Sequence, residues 1–199
     1  MMMKSLIVII IGSVLLTACN NTQNQGEEMI TILQTADIHA YLNPHPELFV
    51  ENDSIVFRNA GGLANIKTLV ESVRKENPEG TVFIDGGDLI QGSGESVHSD
   101  GKIFPELVQA MNYDLLIPGN WEVIYGKQVM LDVMNGYKTN VIVSNMYHEA
   151  DEKPIFPPYW ITEKKGIKMG FIAYNDPEVP IRQNPGFSKG LKFTEVEYN

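Results

Sequence analysis

Four side chains in three short stretches of the sequence have the chemistry of metal ligands: Asp37, His39, Asp88 and Asn120. The first two stand two residues apart in the stretch TADIHA, the third follows a glycine pair in DGGDLIQG, and the fourth follows a glycine in PGNWE. A carboxylate and an imidazole together suit a divalent cation, and such cations also accept a neutral amide oxygen. Taken singly, each stretch also fits an ordinary turn, in which Asp, Asn and Gly are common.

Hydrophobic patterns place each of these stretches at the end of a predicted strand. The strands cover residues 29–35 (MITILQT), 81–85 (TVFID) and 114–118 (DLLIP), which are rich in β-branched and apolar residues. The remaining predicted elements are helices from the glycine pair at 61–62 to Pro78, over 103–111 and over 127–135, a strand over 139–144, and a hairpin of strands 160–164 and 168–174.

The predicted order alternates strands with helices, which is typical of a mostly parallel α/β sheet with right-handed connections. Ligands of such sheets bind beyond the carboxyl ends of the strands. We therefore expect the side chains that follow the first three strands to converge on one crevice. On an extended strand end, Asp37 and His39 project to the same side, and the glycine pair lets the backbone before Asp88 turn sharply.

In that order, Asp-x-His, Gly-Asp and Gly-Asn resemble the signature of the metallophosphoesterase (calcineurin-like) superfamily. The sequence is most similar to its secreted 5′-nucleotidase branch, through the stretches ILQTADIH, GGLA, DGGD, QGS and Gly-Asn followed two residues later by glutamate. The similarity covers about residues 29–192. It implies a sandwich of β-sheets flanked by helices, of which residues 29–199 form an N-terminal portion that is incomplete at the C-terminus.

The resemblance also implies a dinuclear centre for two divalent ions, with Zn, Mn, Mg, Fe and Co left open. Asp37 and His39 would hold the first ion, Asp88 would bridge the two ions, and Asn120 would hold the second. A metal-activated water would then hydrolyse phosphate monoesters, with nucleotides as the expected substrates.

Trp121 occupies the position where this family normally has a histidine that stabilises the transition state or protonates the leaving group. We therefore treat Trp121, with Asn120, as a candidate catalytic residue, although an indole donates one hydrogen bond and cannot act as an acid. The tryptophan also resembles the periplasmic thiosulfohydrolases, which release sulfate and share the stretch DGGD. A sulfate-releasing hydrolase is therefore the alternative function.

The family's downstream Gly-His-x-His motif does not occur in the sequence. The remaining histidines, His45 in a proline-rich loop, His98 and His148, are predicted to lie at the surface. We expect a C-terminal segment beyond this chain to complete the site. A non-catalytic fragment that binds metal weakly is a third hypothesis.

Residues 1–18 have the pattern of a secretory leader, with Lys4 before an apolar run. The stretch LTAC resembles a bacterial lipobox and predicts lipidation at Cys19, and residues 19–28 read as a flexible tether. The alternative is a buried N-terminal element with a chance cysteine. We therefore expect an exported lipoprotein anchored in the membrane, either periplasmic or at the cell surface.

The formal charge of −10 without a basic run argues against binding a nucleic-acid duplex. The sequence has one cysteine, so no intrachain disulfide can form. Beyond the leader, no segment is long and apolar enough to be predicted as a membrane span.

Overall fold

The computed structural model describes residues 28–196, so the predicted leader, Cys19 and nearly all of the tether lie outside the described residues. The elements in chain order are β1 (Thr31–Thr35), β2 (His45–Glu51), β3 (Ser54–Ala60), α1 (Leu63–Glu76), β4 (Thr81–Asp85), α2 (Gly94–Ser99), α3 (Phe104–Met111), β5 (Leu115–Leu116), α4 (Lys127–Asn135), β6 (Asn140–Val141), β7 (Met146–His148), β8 (Tyr159–Lys164), β9 (Ile167–Ile172), α5 (Val179–Arg182) and β10 (Leu191–Phe193).

Strands β1, β4, β5 and β6 form a parallel sheet in that spatial order. The predicted α/β class with a parallel sheet is therefore confirmed. The predicted strand over 139–144 leaves the sheet after Ile142, whose N–H still donates to Leu116 O. Val143 N donates instead to Pro157 O and Ser144 N to Ala173 O. In the predicted strand 114–118, β5 itself covers two residues, and Asp114 N and Ile117 N on either side also donate to carbonyls of β4.

Alternate residues of the sheet face two different layers. Phe83 of β4 packs in a core with residues of α1, α3 and α4. Its neighbours Val82 and Ile84 point to the opposite face, where they pack with Trp160 and Phe171 of the antiparallel β8–β9 hairpin. All five residues of β4 are buried, and each large apolar side chain buried in this way contributes about 1.5–3 kcal/mol. The sheet thus lies between a layer of helices and a hairpin.

Helices α1, α3 and α4 occupy the three predicted helical segments. As expected, α1 ends before Pro78, and α4 begins directly after Gly126. No helix among residues 28–196 has the length and apolar character needed to cross a membrane.

The β2–β3 hairpin was not predicted. The prolines on both sides of His45 indicated a loop, yet His45 is the first residue of β2 and pairs with Ala60. Pro46 is tolerated because a two-stranded hairpin leaves one edge of each strand unpaired. The chain reverses at Asn52 and Asp53, which both have left-handed φ angles, of 49° and 60°. Asn and Asp adopt this conformation more readily than most residues, as a two-residue hairpin turn requires.

Candidate metal centre

Asp37, His39 and Asp88 each direct one possible ligand atom into a cluster in which these atoms lie within 4.8 Å of one another. His39 Nε2 lies 3.8 Å from Asp37 Oδ1 and 3.9 Å from Asp88 Oδ2. The other ring nitrogen of His39, Nδ1, lies 2.9 Å from Gln91 Oε1. The Asp37 side chain is 71% exposed and that of Asp88 11%. The cluster therefore opens to solvent on one side and is backed by protein on the other.

The segments after β1 and β4 run side by side and bring these residues together. Asp37 N donates to Gly87 O and His39 N donates to Asp88 O, each at 2.9 Å. The expectation that Asp37 and His39 share one side of an extended strand was wrong in its geometry. Both residues lie beyond the end of β1, with left-handed φ angles of 54° and 48°, and Asp88 has a φ of 56°. Such backbone conformations are costly and cluster at functional sites.

Glu122 ties the loop of Asp88 to the loop of Asn120. Its Oε2 accepts hydrogen bonds from Asp88 N at 3.0 Å and from Gly119 N at 2.6 Å, and its Oε1 accepts from Leu89 N at 2.7 Å. The residue is 1% exposed. Burial, reinforced by the negative charge of Asp88, raises the pKa of Glu122 to about 7. In the sequence, Glu122 was only part of a motif, and nothing there showed that it joins two loops.

The Asn120 carboxamide faces Asp88, and without a cation only one of its orientations satisfies its neighbours. With its amino group toward Asp88 it donates to Oδ2 at 2.9 Å, and its oxygen accepts from Gln183 Nε2 at 2.9 Å. With its oxygen toward Asp88, the amide and carboxylate oxygens face one another, an arrangement that would need a cation between them. The donor set of carboxylates, imidazole and amide oxygen therefore fits a divalent cation.

Asp88 is held by its neighbours in the orientation that faces this cluster. Trp121 N donates to Asp88 Oδ1 at 2.8 Å. Burial raises the pKa of Asp88, while this hydrogen bond and the nearby His39 oppose the increase. Trp121 thus contributes its main-chain N–H to the site. Its indole does not line the cavity beside the cluster, as far as the described residues show. That cavity, of about 230 Å³, lies against Asp37, Asp88 and Asn120.

The other histidines do not join the cluster within residues 28–196. His98 is exposed as predicted, and His45 and His148 are partly exposed, with 27% of the His45 side chain accessible. His45 Nε2 lies 2.6 Å from Glu47 Oε1, and its pKa is raised by a hydrogen bond to the Asn43 carbonyl and by the contact with Glu47. His148 belongs to β7.

The chain belongs to the calcineurin-like phosphoesterase family, whose sequence profile matches residues 30–186. It is 27% identical over 169 residues to the 2′,3′-cyclic-nucleotide 2′-phosphodiesterase/3′-nucleotidase of Haemophilus influenzae, covering 76% of this chain and 25% of that protein. It is also 27% identical over 166 residues to the 5′-nucleotidase of Rattus norvegicus, covering 79% of this chain and 28% of that enzyme. The predicted family is therefore confirmed.

Solved structures show the same fold. The NAD nucleotidase of Haemophilus influenzae superimposes with a TM-score of 0.71 at 22% identity, over 83% of this chain and 33% of that one. The sulfate thiohydrolase SoxB of Thermus thermophilus gives a TM-score of 0.73 at 18% identity, over 84% and 39% of the two chains. The chain thus spans about a quarter to two fifths of the length of these relatives, and it corresponds to their N-terminal part.

Proposed function

We propose that this chain is the N-terminal, metal-binding portion of a secreted phosphoesterase that hydrolyses phosphate monoesters, with nucleotides as substrates. The observation that carries the proposal is the convergence of Asp37, His39 and Asp88 at the carboxyl ends of β1 and β4. The nucleotidase relatives support the substrate class. Residues 29–199 would need a further C-terminal segment to complete the catalytic domain.

In the proposed centre, Asp37 and His39 would hold one divalent ion, Asp88 would be shared between that ion and a second, and Asn120 would contribute its amide oxygen to the second. A carboxylate suits the bridging position because its two oxygens can each bind a cation. Two such ions supply a water of lowered pKa and stabilise the charge that develops on a transferred phosphoryl group.

The protein groups around this centre position its ligands and do not themselves transfer protons. Trp121 N–H and the hydrogen bonds to Glu122 hold Asp88 and its loop in position. The Trp121 indole stands where the family histidine is expected and cannot protonate a leaving group. A nucleotide leaving group therefore needs its proton from water or from a residue outside this chain.

The proposed location follows from the sequence alone. We propose that the leader over residues 1–18 is removed, that Cys19 carries lipid, and that the short tether to residue 28 holds the enzyme at the outer side of a membrane. Labelling of cells with a radioactive fatty acid tests this, since Cys19→Ser should abolish incorporation and processing. Unchanged labelling of that variant would contradict the anchor.

Metal-dependent release of phosphate tests the proposed activity. The purified chain, and any longer product of the same reading frame, would be assayed with adenosine monophosphate and an aryl phosphate, with Mn²⁺ or with a chelator. We expect Asp88→Asn to abolish release, whereas Asp151→Asn, in an exposed pair with Lys153, should leave it unchanged. Activity that survives both chelator and Asp88→Asn would disprove the proposal.

A thiosulfohydrolase is the second candidate, and Trp121 is the observation that favours it. Release of sulfate from a protein thiosulfonate, without any action on nucleotides, would select this function. Sulfate release should then depend on Trp121, so Trp121→His should reduce it. If the same substitution instead increases phosphate release, the phosphoesterase assignment is supported.

A non-catalytic chain that binds a single ion remains the third candidate. Calorimetric titration with Mn²⁺ distinguishes it, because a dinuclear centre takes up two ions and the three-residue cluster alone takes up one. A single weak site without turnover in the longest product would favour the non-catalytic role.

A further inference from the structure

Three successive main-chain carbonyls, those of Pro118, Gly119 and Asn120, each accept a hydrogen bond from a side-chain amide. Asn175 Nδ2 donates to Pro118 O at 3.0 Å and to Gly119 O at 2.8 Å. Gln183 Nε2 donates to Asn120 O at 2.8 Å. Both amides come from the segment that follows β9, more than 50 residues later in the chain. The turn that carries Asn120 is therefore held from outside itself.

Asn175 is in turn fixed at its own backbone. Its N–H donates to Asn145 Oδ1 at 2.8 Å, and its carbonyl accepts from Asn145 Nδ2 at 2.8 Å. Asn145 also donates to Thr194 O at 2.9 Å and is 1% exposed. Asn145 thus holds Asn175 by both main-chain groups and so sets the position from which the Asn175 amide reaches the turn.

The side-chain oxygens of these two amides accept no hydrogen bond within the described part of the chain. Asn175 Oδ1 and Gln183 Oε1 are buried without a hydrogen-bond partner among residues 28–196. A buried unpaired acceptor is unfavourable, and such groups in native proteins call for an explanation. Rotation of the Asn175 amide would not help, because its oxygen would then face two carbonyl oxygens. The Asn175 side chain therefore acts through the two N–H groups of its amide, which hold the turn.

We infer that Asn175 is a positioning residue for the metal centre: it holds the Pro118–Gly119 backbone so that Asn120 and the Trp121 N–H face Asp88. The inference rests on the proposed function, because it gives the turn a metal ligand to present. The turn needs such support since Gly119 restricts the backbone least of all residues. Gln183 assists at the next carbonyl along the chain.

Asn77 offers a closely matched control. It is 6% exposed where Asn175 is 5%, and its Nδ2 also donates to two oxygens, Met29 O at 3.0 Å and Thr31 Oγ1 at 3.2 Å. These contacts lie at the amino end of β1, away from the metal cluster. Asn175→Ala and Asn77→Ala therefore remove the same chemistry at two ends of the sheet.

Two measurements on the full chain test the inference. Hydrogen exchange of peptides that cover residues 119–124 should become faster in Asn175→Ala and not in Asn77→Ala. The dissociation constant for Mn²⁺ alone should rise about 10-fold or more in Asn175→Ala, as for other residues that support metal ligands, and stay unchanged in Asn77→Ala. Gln183→Leu, at a half-buried position, should also speed exchange in this segment if Asn175→Ala does not fold.

The outcomes separate the inference from the proposed function. Unchanged exchange over residues 119–124 in both Asn175→Ala and Gln183→Leu would overturn the inference, and so would faster exchange with unaltered Mn²⁺ affinity. Failure of the unmodified chain to bind Mn²⁺ would refute the proposed metal centre, and with it the metal-positioning role of Asn175. Mn²⁺ binding that responds to Asn175→Ala without any phosphate release would leave the inference standing while the proposed activity fails.

Discussion

Gln91 Oε1 and His39 Nδ1 lie 2.9 Å apart, although the two residues are 52 positions apart in the chain. A carboxamide oxygen only accepts, so the imidazole carries its proton on Nδ1 and donates it to Gln91. The other ring nitrogen, Nε2, lies 3.8 Å from Asp37 Oδ1 and 3.9 Å from Asp88 Oδ2. Gln91 therefore orients the ring of a candidate ligand toward the two carboxylates.

Gln91→Leu should weaken Mn²⁺ binding by about 10- to 100-fold, because the ring of His39 loses the acceptor that orients it. The matched control is Gln128→Leu on α4, where Nε2 donates to the exposed Asp132 at 2.8 Å. That variant should bind Mn²⁺ like the unmodified chain. Equal dissociation constants for all three proteins, measured by titration calorimetry, would show that Gln91 has no such role.

Gly92→Ala should disturb the same ligand through the backbone. A Cβ at Gly92 would collide with the carbonyl oxygen of His39, and its φ of 139° disfavours any side chain. Two residues later, a Cβ at Gly94 would meet nothing within 4 Å, so Gly94→Ala at the start of α2 is the control. We expect Gly92→Ala to lower both the melting temperature and the Mn²⁺ affinity, and Gly94→Ala to lower neither. Similar behaviour of the two variants would contradict the close packing of this loop against His39.

Much of the sheet and the order of the candidate ligands could be predicted from the sequence, because both depend on local patterns. Residues 82–84 (VFI) are apolar on both faces, as a buried parallel strand requires, and α4 repeats apolar residues at helical spacing. The β2–β3 hairpin escaped prediction because prolines beside its first residue indicate a loop and its apolar residues are largely exposed, as at Val50 and Phe57.

The supporting groups of the site could not be predicted, because their partners are distant in sequence. Glu122 and Asn175 are polar residues whose roles depend on carbonyls and N–H groups that only the fold brings within reach. The left-handed backbone at Asp37 and His39 also has no sequence signal beyond the tolerance of Asp and His for that region. The ligand types indicated the site, and tertiary contacts determined its geometry.

Glu122→Gln should destabilise the protein by about 1–3 kcal/mol, since it places an amide N–H₂ where the carboxyl group accepts from main-chain N–H groups of two loops. Glu71→Gln is the control, because Glu71 is exposed on α1 and forms only a 3.7 Å surface pair with Lys67. Such a pair contributes at most about 1 kcal/mol. Urea unfolding of both variants measures the difference. Equal free energies of unfolding would show that Glu122 does not support the two loops.

The stability of the metal-free protein should fall as the pH rises through the titration of Asp85. This carboxyl group is fully buried at the end of β4, and burial raises its pKa from the usual 3.8 to about 6, despite hydrogen bonds from Thr35 Oγ1 and Gly87 N. Between these two values the folded state holds a proton that the unfolded state releases, so an increase in pH favours unfolding. Below about pH 4 both states are protonated, and above about pH 6 both are ionised, so the loss is confined to that interval.

The size of this loss follows from the shift, since each pKa unit corresponds to about 1.4 kcal/mol and the expected total is on the order of 2–3 kcal/mol. Asp85→Asn keeps the shape and the acceptor for Gly87 N but cannot ionise. Its free energy of unfolding, measured with a chelator present, should therefore rise relative to that of the unmodified chain between about pH 4 and pH 6.5. If the two stability curves run parallel across this interval, Asp85 titrates in the folded protein as it does in the unfolded chain, and its burial does not oppose the charge.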